Sequence, residues 1–315
     1  MKKQWKNSMK QSKNISIRDD FGLALATEGE KNKKIVAVSI DLKGACKLNY
    51  FFNNFPERSF EIGIAEANAV GIAVGLSFEG FRPFVASFGS FISGKNTEIR
   101  NSICYNNAPV VIVGTHCGMI GSDGATQSAL QDLSIMRSMP YFNVFQPCSP
   151  LETKEIVKYA SKSREPTYLR IARNEIPEFL NKNYKFKIGT PNEIIKGNKK
   201  LIISSGAMVY NCLNAIREIN NNGYGLVNIP SIKPLNNKIL INILKRYDKI
   251  ITVEDHGIFG GLGSIVGELI AQNNLSIKFK IHGLKTGFID SDIPSNLEKK
   301  YQMDIKSLKK IFLNF

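Results

Sequence analysis

The chain has 315 residues, 43% hydrophobic and 22% charged, with a formal net charge of +15. That length suggests about two domains of ordinary size, and the apolar segments recurring along it exclude a disordered chain. No apolar run approaches the roughly 18 residues of a membrane helix, so no membrane partner is expected. The basic start, Met1 to Asn14, has no apolar core behind it. It reads as a solvated tail or a first helix of a cytoplasmic protein, not as a secretory signal. Lysines are spread along the chain without a basic stripe or a reader motif, so no nucleic-acid partner is expected. The five cysteines (Cys46, Cys104, Cys117, Cys148, Cys212) contain no C-x-x-C pair, and His116, His256 and His282 stand in no ligand spacing with them. Buried or half-buried free thiols and no metal site in this chain are the expectation.

In chain order, β-branched runs at Lys34–Ile40, Arg82–Ala86, Val110–Gly114, Asn143–Gln146 and Thr167–Ile171 read as strands. Helical stretches near Ile17–Glu28, Glu66–Leu76, Gly94–Tyr105, Ser128–Met139 and Ser149–Ser163 alternate with them, the pattern of parallel βαβ units covered on both faces. A polar stretch, Asn181–Lys199, separates a second block. Its strands are Lys200–Ser204, Gly225–Asn228, Lys249–Val253 and Ser276–Ile281, with helices near Met208–Ile219, Lys238–Arg246 and Gly263–Gln272. Residues Asn296–Asn314 read as one or two short helices. The fold class is α/β in two domains, residues 1–185 and 186–315, each a mostly parallel sheet flanked by helices.

Glu66 lies in an apolar segment rich in small residues, Ile62 to Leu76, and its helical neighbours are Ile62, Gly63, Ala69 and Val70. Two readings are open. A carboxyl in a dry pocket has a raised pKa and can handle a proton; alternatively, Glu66 caps the first turn of a helix with its head in water. Other signals are weaker. Ser122-Asp-Gly-Ala-Thr126 suits a turn with φ > 0 or an N-cap. His116 follows a strand at the carboxyl end, where α/β sheets place ligands. Phe88 and Phe91 follow the preceding strand with the spacing of core residues, and Gly260-Gly-Leu-Gly263 opens a helix and could approach a phosphate.

Phe55-Pro-Glu-Arg-Ser-Phe-Glu-Ile-Gly-Ile-Ala-Glu-Ala-Asn68 and Gly80-Phe-Arg-Pro-Phe-Val-Ala-Ser-Phe-Gly-Ser-Phe91 resemble the pyrimidine-binding domain of transketolases. So do Gly114-Thr-His116, Gly121-Ser-Asp-Gly-Ala-Thr126 and Asp132-Leu-Ser-Ile-Met-Arg137, while Val253-Glu-Asp-His-Gly-Ile-Phe-Gly-Gly-Leu-Gly263 is similar to their C-terminal domain. The resemblance runs from about Ile17 to Gln272. It implies thiamine diphosphate as cofactor, a group that carries the difficult chemistry itself. It also implies that Glu66 activates the cofactor aminopyrimidine, that Phe88 and Phe91 wall that ring, and that Asp41 and Leu42 lie near the thiazolium side. Arg18 and Arg173 are implied as ligands of a sugar phosphate, His116 as a catalytic and substrate-binding residue, and Asp123 as a contact to a sugar hydroxyl.

Two positions depart from the family pattern. Thr126 is followed by Gln127-Ser128 where members usually carry His-Gln, and Ala45 stands where a phosphate-contacting serine is often found. Gln127 retains hydrogen bonding to substrate without acid–base capacity. There is also one residue fewer between His116 and Asp123 than in most members. The family holds Mg2+ (or Ca2+) and the cofactor diphosphate through a G-D-G…Asn sequence in another domain, and no such sequence occurs here. The chain is therefore expected to be the C-terminal subunit of a split transketolase, completed by an N-terminal subunit in a two-plus-two heterotetramer. The expected reaction is transfer of a two-carbon ketol unit from a ketose phosphate to an aldose. The alternatives are a decarboxylating subunit resembling deoxyxylulose-phosphate synthase or pyruvate dehydrogenase β, and a non-catalytic structural subunit.

Overall fold

A computed structural model describes residues 16–220, 223–285 and 287–315; the tail or first helix expected over residues 1–14 lies outside them. In chain order α1 (Ile17–Lys31), β1 (Ile35–Ser39), β2 (Ser59–Glu61), α2 (Glu66–Phe78), β3 (Arg82–Phe88), α3 (Gly89–Ser93) and β4 (Val111–Cys117) come first. They are followed by α4 (Asp132–Ser138), β5 (Asn143–Phe145), α5 (Pro150–Lys162) and β6 (Thr167–Ala172). The second half holds β7 (Asn192–Ile195), β8 (Lys200–Ser204), α6 (Met208–Glu218), β9 (Tyr224–Asn228), β10 (Ser231–Lys233) and α7 (Asn237–Leu244). It ends with β11 (Lys249–Gly257), α8 (Leu262–Gln272), β12 (Lys278–Leu284), α9 (Pro294–Lys300) and α10 (Ile305–Asn314).

The strands form two sheets, ordered β10-β5-β6-β4-β3-β1-β2 and β12-β11-β8-β9-β7. Pairing is parallel except for β10 on β5 and β7 on β9. The chain is thus α/β, with two mostly parallel sheets flanked by helices. One strand crosses between the halves: β10, from the second, extends the first sheet.

β1, β4 and β6 are buried along their whole length, as strands covered on both faces must be. Ile35, Ala37, Phe84, Ala86, Val111 and Val113 pack with Phe21 and Leu25 of α1 and with Ile156 and Val157 of α5. Val38, Val85 and Ile112 point the other way, onto Ala69, Val70, Ala73 and Val74 of α2. Each Val, Leu, Ile or Phe among them stabilises the fold by roughly 1.5–3 kcal/mol, and each Ala by less. Ser149 accepts from the Glu152 amide at the start of α5, with Pro150 in the first turn, so the chain enters that helix with a capped terminus.

Three expectations change. The helix expected at Gly94–Tyr105 is broken into Asn96–Glu98 and a π-helical turn over Ile99–Cys104, whose wider register brings Ile99, Ile103 and Cys104 all into the core. β4 runs on to Cys117, so His116 lies within the strand end and does not follow it. β2, β7 and β10 were not expected; they have three or four residues each and no long apolar run.

Between the sheets, the fully buried Arg170 donates to Asp132 Oδ2 (2.9 Å), Asp255 Oδ1 (2.8 Å) and the carbonyls of Ala129 and Asp255 (both 3.2 Å). Gly257 N donates to Leu130 O (2.8 Å) and Gly118 N to Ala129 O (3.0 Å). Together these bonds pin both feet of the loop 118–131, which carries Asp123 and Gln127.

Candidate active site

The carboxyl ends of β1, β3, β4 and β6 open into one crevice, where open α/β sheets place ligands. One part is a cavity of about 560 Å³ lined by Arg18, Asp19, Lys47, Arg173 and Glu175, among others. Arg18 is brought beside Arg173 because the start of α1 is tied to the segment after β6: Ile17 N donates to Asn174 O (3.2 Å) and Ser16 bridges Glu175. Burial and the neighbouring Arg173 charge lower the Arg18 pKa, the mark of crowded cations.

Arg18 Nη1 donates to Ala45 O (3.0 Å) and lies 2.6 Å from His116 Nε2. A guanidinium only donates, so Nε2 is the acceptor and the imidazole proton sits on Nδ1, 2.9 Å from Thr115 Oγ1. His116 is 3% exposed, and burial together with Arg18, Arg173 and Lys47 pushes its pKa down to about 3. It is therefore neutral near neutral pH. Its backbone, at φ 54°, is in the left-handed region, as are Asp41 (φ 58°) and Lys47 (φ 59°). Such outliers concentrate at functional sites.

A second cavity of about 450 Å³ is lined by Ile40, Asp41, Leu42, Ile64, Glu66, Phe91 and Lys95. Glu66 is the first residue of α2, where Ala65 offers no side-chain cap, and is half-buried at the cavity edge. The position is that of a first-turn acid, while the side chain lines a largely apolar hollow. The fully dry environment considered from sequence is not supplied by this chain alone. Asp41 is exposed and Leu42 half-buried; Glu61 Oε1 accepts from the Asp41 amide (2.6 Å) and fixes the turn.

The two cavities are joined through stacked rings. Phe91 stacks on Phe88 (centroids 5.3 Å, 15° apart), and Phe88 lies 3.9 Å from the His116 ring. Asp123 is exposed and pairs with Arg173 Nη1, which also donates to Ile120 O (3.1 Å). Gly121 and Gly124 supply the positive φ of that turn, and Asp123 does not cap α4, whose N-cap is Gln131. Gln127 is half-buried in a 3-10 turn, Ala125–Gln127, packed against α3. Among the described residues, buried atoms without a hydrogen-bond partner include Arg18 Nε, Ser87 Oγ, Ser90 Oγ, Gln127 Oε1 and Ser128 Oγ. Unsatisfied polar atoms are rare in folded proteins, and these belong to segments flanking the crevice.

The sequence pointed to most of these residues but missed Lys47, Asp19, Ile64 and Lys95. Lys47 follows β1 at its carboxyl end, and that placement was the available signal. Gly260-Gly-Leu-Gly263 proves to be occupied from within. Glu254 accepts from the amides of Leu262 (2.7 Å) and Gly263 (2.9 Å), so a carboxylate takes the place considered for a phosphate. All five cysteines are free and buried.

The apolar cavity fits one half of thiamine diphosphate, the cofactor implied by resemblance. Ile40, Leu42, Ile64 and Phe91 offer faces to a flat heterocycle, and Glu66 offers it a carboxylate. Among the described residues no group of three or more His, Cys, Asp or Glu is placed to hold a metal ion, and no helix is long and apolar enough to cross a membrane.

Residues 13–178 match the family model for the transketolase pyrimidine binding domain, and residues 191–308 match that for the transketolase C-terminal domain. A Methanocaldococcus jannaschii protein named as a transketolase C-terminal section is 35% identical over 301 residues, covering 93% of this chain and 94% of its own. An Actinobacillus succinogenes protein, one of the subunits of an apulose-4-phosphate transketolase, is 34% identical, covering 80% of this chain and 83% of its own. The 1-deoxy-D-xylulose-5-phosphate synthase of Halothermothrix orenii is 32% identical over 94% of this chain, which spans only 48% of that enzyme. Among solved structures, one described as a split gene transketolase, an inactive beta4 tetramer, superposes with a TM-score of 0.87 at 33% identity, covering 95% of this chain and 98% of that one. With both domain models matched in order along nearly its whole length, the chain belongs to the transketolase family, whose members depend on thiamine diphosphate.

Proposed function

We propose that this chain is the C-terminal subunit of a two-subunit transketolase. It would move a two-carbon ketol unit from a ketose phosphate to an aldose. The observation that carries this reading is the juxtaposition, across the Phe91–Phe88–His116–Arg18 line, of a heterocycle-sized apolar cavity edged by Glu66 and a cavity lined by Arg18, Lys47 and Arg173 with the carboxylates Asp19 and Glu175. Thiamine diphosphate, when bound, supplies the nucleophilic carbon that takes up the ketol unit. Glu66 meets the ring nitrogen of the aminopyrimidine, gives it a proton as a carboxylic acid and takes that proton back as a carboxylate. Phe88 and Phe91 wall the ring, and Asp41 and Leu42 border the thiazolium side. Arg18 and Arg173 bind the sugar phosphate, a shape that guanidinium donors match in pairs. Neutral His116, Asp123 and Gln127 bind sugar oxygens. A proton-transfer part for His116 requires Arg18 to turn from Nε2 to the substrate.

The metal and diphosphate would be held mainly by an N-terminal subunit, in a two-plus-two assembly. The outer face of α2 supports a partner. Ala67, Asn68, Gly71, Gly75 and Phe78 are exposed, as are Ile64 and Tyr105 nearby, and a Cβ added at Gly71 or Gly75 meets nothing within 4 Å. A closely applied second surface there would also finish the wall beside Glu66. The boundary between the two domains falls near residue 185.

The test is Glu66→Gln in the chain reconstituted with its partner, cofactor and Mg2+. Turnover of xylulose 5-phosphate with an aldose phosphate should fall at least about 100-fold while sugar binding persists. Unchanged turnover would leave the chain a structural subunit. Likeness to the synthase relatives supports a second, decarboxylating reading, and consumption of pyruvate by the same complex would select it.

A further inference from the structure

The cavity lined by Arg18 and Arg173 holds a third cation, Lys47, and the carboxylates of Asp19 and Glu175. Lys47 sits in the turn after β1, wound by bonds from Cys46 N to Leu42 O (2.8 Å), Lys47 N to Gly44 O (3.2 Å) and Leu48 N to Lys43 O (2.9 Å). Its left-handed backbone, φ 59°, is a conformation that residues with a Cβ rarely adopt. The fold imposes it through α1. At Gly22 a Cβ would lie 2.2 Å from the Lys47 carbonyl oxygen and 3.1 Å from Lys47 Cβ, so a glycine is what lets the helix press against this turn. The result aims Lys47 into the cavity that also receives Arg18 and Arg173.

The charges there are unevenly matched. Lys47 Nζ is 2.9 Å from Asp19 Oδ1 with about a third of its side chain exposed, and Arg173 is paired with Asp123. Among the described residues Arg18 hydrogen-bonds to neutral groups alone, Ala45 O and His116, and its Nε has no such bond. Asp19 is held in place by Ser16 Oγ (2.7 Å) and Tyr50 OH (3.2 Å), so it can release Lys47 without moving far itself. An incoming phosphate dianion carries three strong acceptor oxygens and more charge than one carboxylate.

We infer that Lys47 is a ligand of the substrate's phosphate, released from Asp19 as that group enters, and that this exchange sets the preference for phosphorylated over free sugars. The inference rests on the reading that this cavity receives the sugar. Asp19 is then the internal competitor that tunes affinity. Removing Lys47 weakens phosphate binding, and removing the Asp19 charge strengthens it.

The test uses the full chain, whose own residues line the cavity, with ribose 5-phosphate and ribose as probes in titration calorimetry. Wild type should prefer the phosphorylated sugar. Lys47→Met should reduce that preference about tenfold or more, and Asp19→Asn should increase it. Lys47→Arg should restore part of what Lys47→Met loses, and equal melting temperatures would exclude misfolding as the cause. In the reconstituted complex the Lys47→Met loss should fall on KM for the phosphorylated substrate more than on kcat. A wild-type chain without the preference, or a Lys47→Met chain that keeps it, overturns the inference. Because the calorimetry involves no turnover, loss of preference without ketol transfer by any complex would sink the proposed reaction and leave Lys47 as assigned.

Discussion

Asp20 is fully buried on α1, and its carboxylate meets the partly exposed Lys154 Nζ at 3.3 Å. Burial raises its pKa from 3.8 to about 6, more than Lys154 lowers it. In that window the folded chain binds more protons than the unfolded one, so this group's contribution to stability falls as pH rises from about 4 to 6. Asp20→Asn, which imitates the protonated form, should raise the melting temperature by about 5 °C at pH 7.5 and leave it nearly unchanged at pH 4, read by calorimetry. An equal gain at both pH values would contradict the assignment. His116 and His256 act with the opposite sign. Burial and nearby cations push His116 down to about 3, and burial above all pushes His256 down to about 4, so both disfavour the folded state as pH falls below the ordinary histidine range. At this scale the sequence conveys which chemistry is present but not its surroundings. Glu254 looked like part of a motif beside a glycine-rich turn, and only the bend of the chain reveals that its carboxylate caps that turn.

Elements were legible where both faces of a strand are apolar or a helix has a clear inner face. β1, β3, β4 and β6, along with α1, α2 and α5, lie within a few residues of their expected limits because burial on both sides leaves few other arrangements. The short edge strands β2, β7 and β10 depend on a neighbour's free edge, which no local pattern encodes. The glycines of α2 are a mixed case. Small residues on a helix allow another backbone to approach closely, yet Gly71 and Gly75 are exposed in the single chain. Because a Cβ at Gly75 meets open space, Gly75→Ala should stabilise the isolated chain by up to about 1 kcal/mol through helix propensity, measured in urea. Gly75→Trp should leave the isolated fold intact and prevent assembly with the partner in sedimentation experiments. Normal assembly of that variant would exclude this helix face from the interface.

For the molecule as a whole, no G-D-G…Asn sequence occurs, and Glu66 stands half-buried at the start of α2, whose outer face is exposed. Arg170 and its two buried carboxylates join the sheets, so the loop 118–131 is braced by both halves of this chain. The central claim is that catalysis belongs to an assembly of two different polypeptides, this one supplying Glu66 and the sugar site. Its most direct measurement is the rate of ketol transfer from xylulose 5-phosphate with thiamine diphosphate and Mg2+, recorded for the purified chain alone and after adding the diphosphate-binding subunit. The account predicts no transfer by the chain alone and full turnover near a one-to-one ratio of subunits. Sustained, cofactor-dependent turnover by this chain in the absence of any second polypeptide would contradict it.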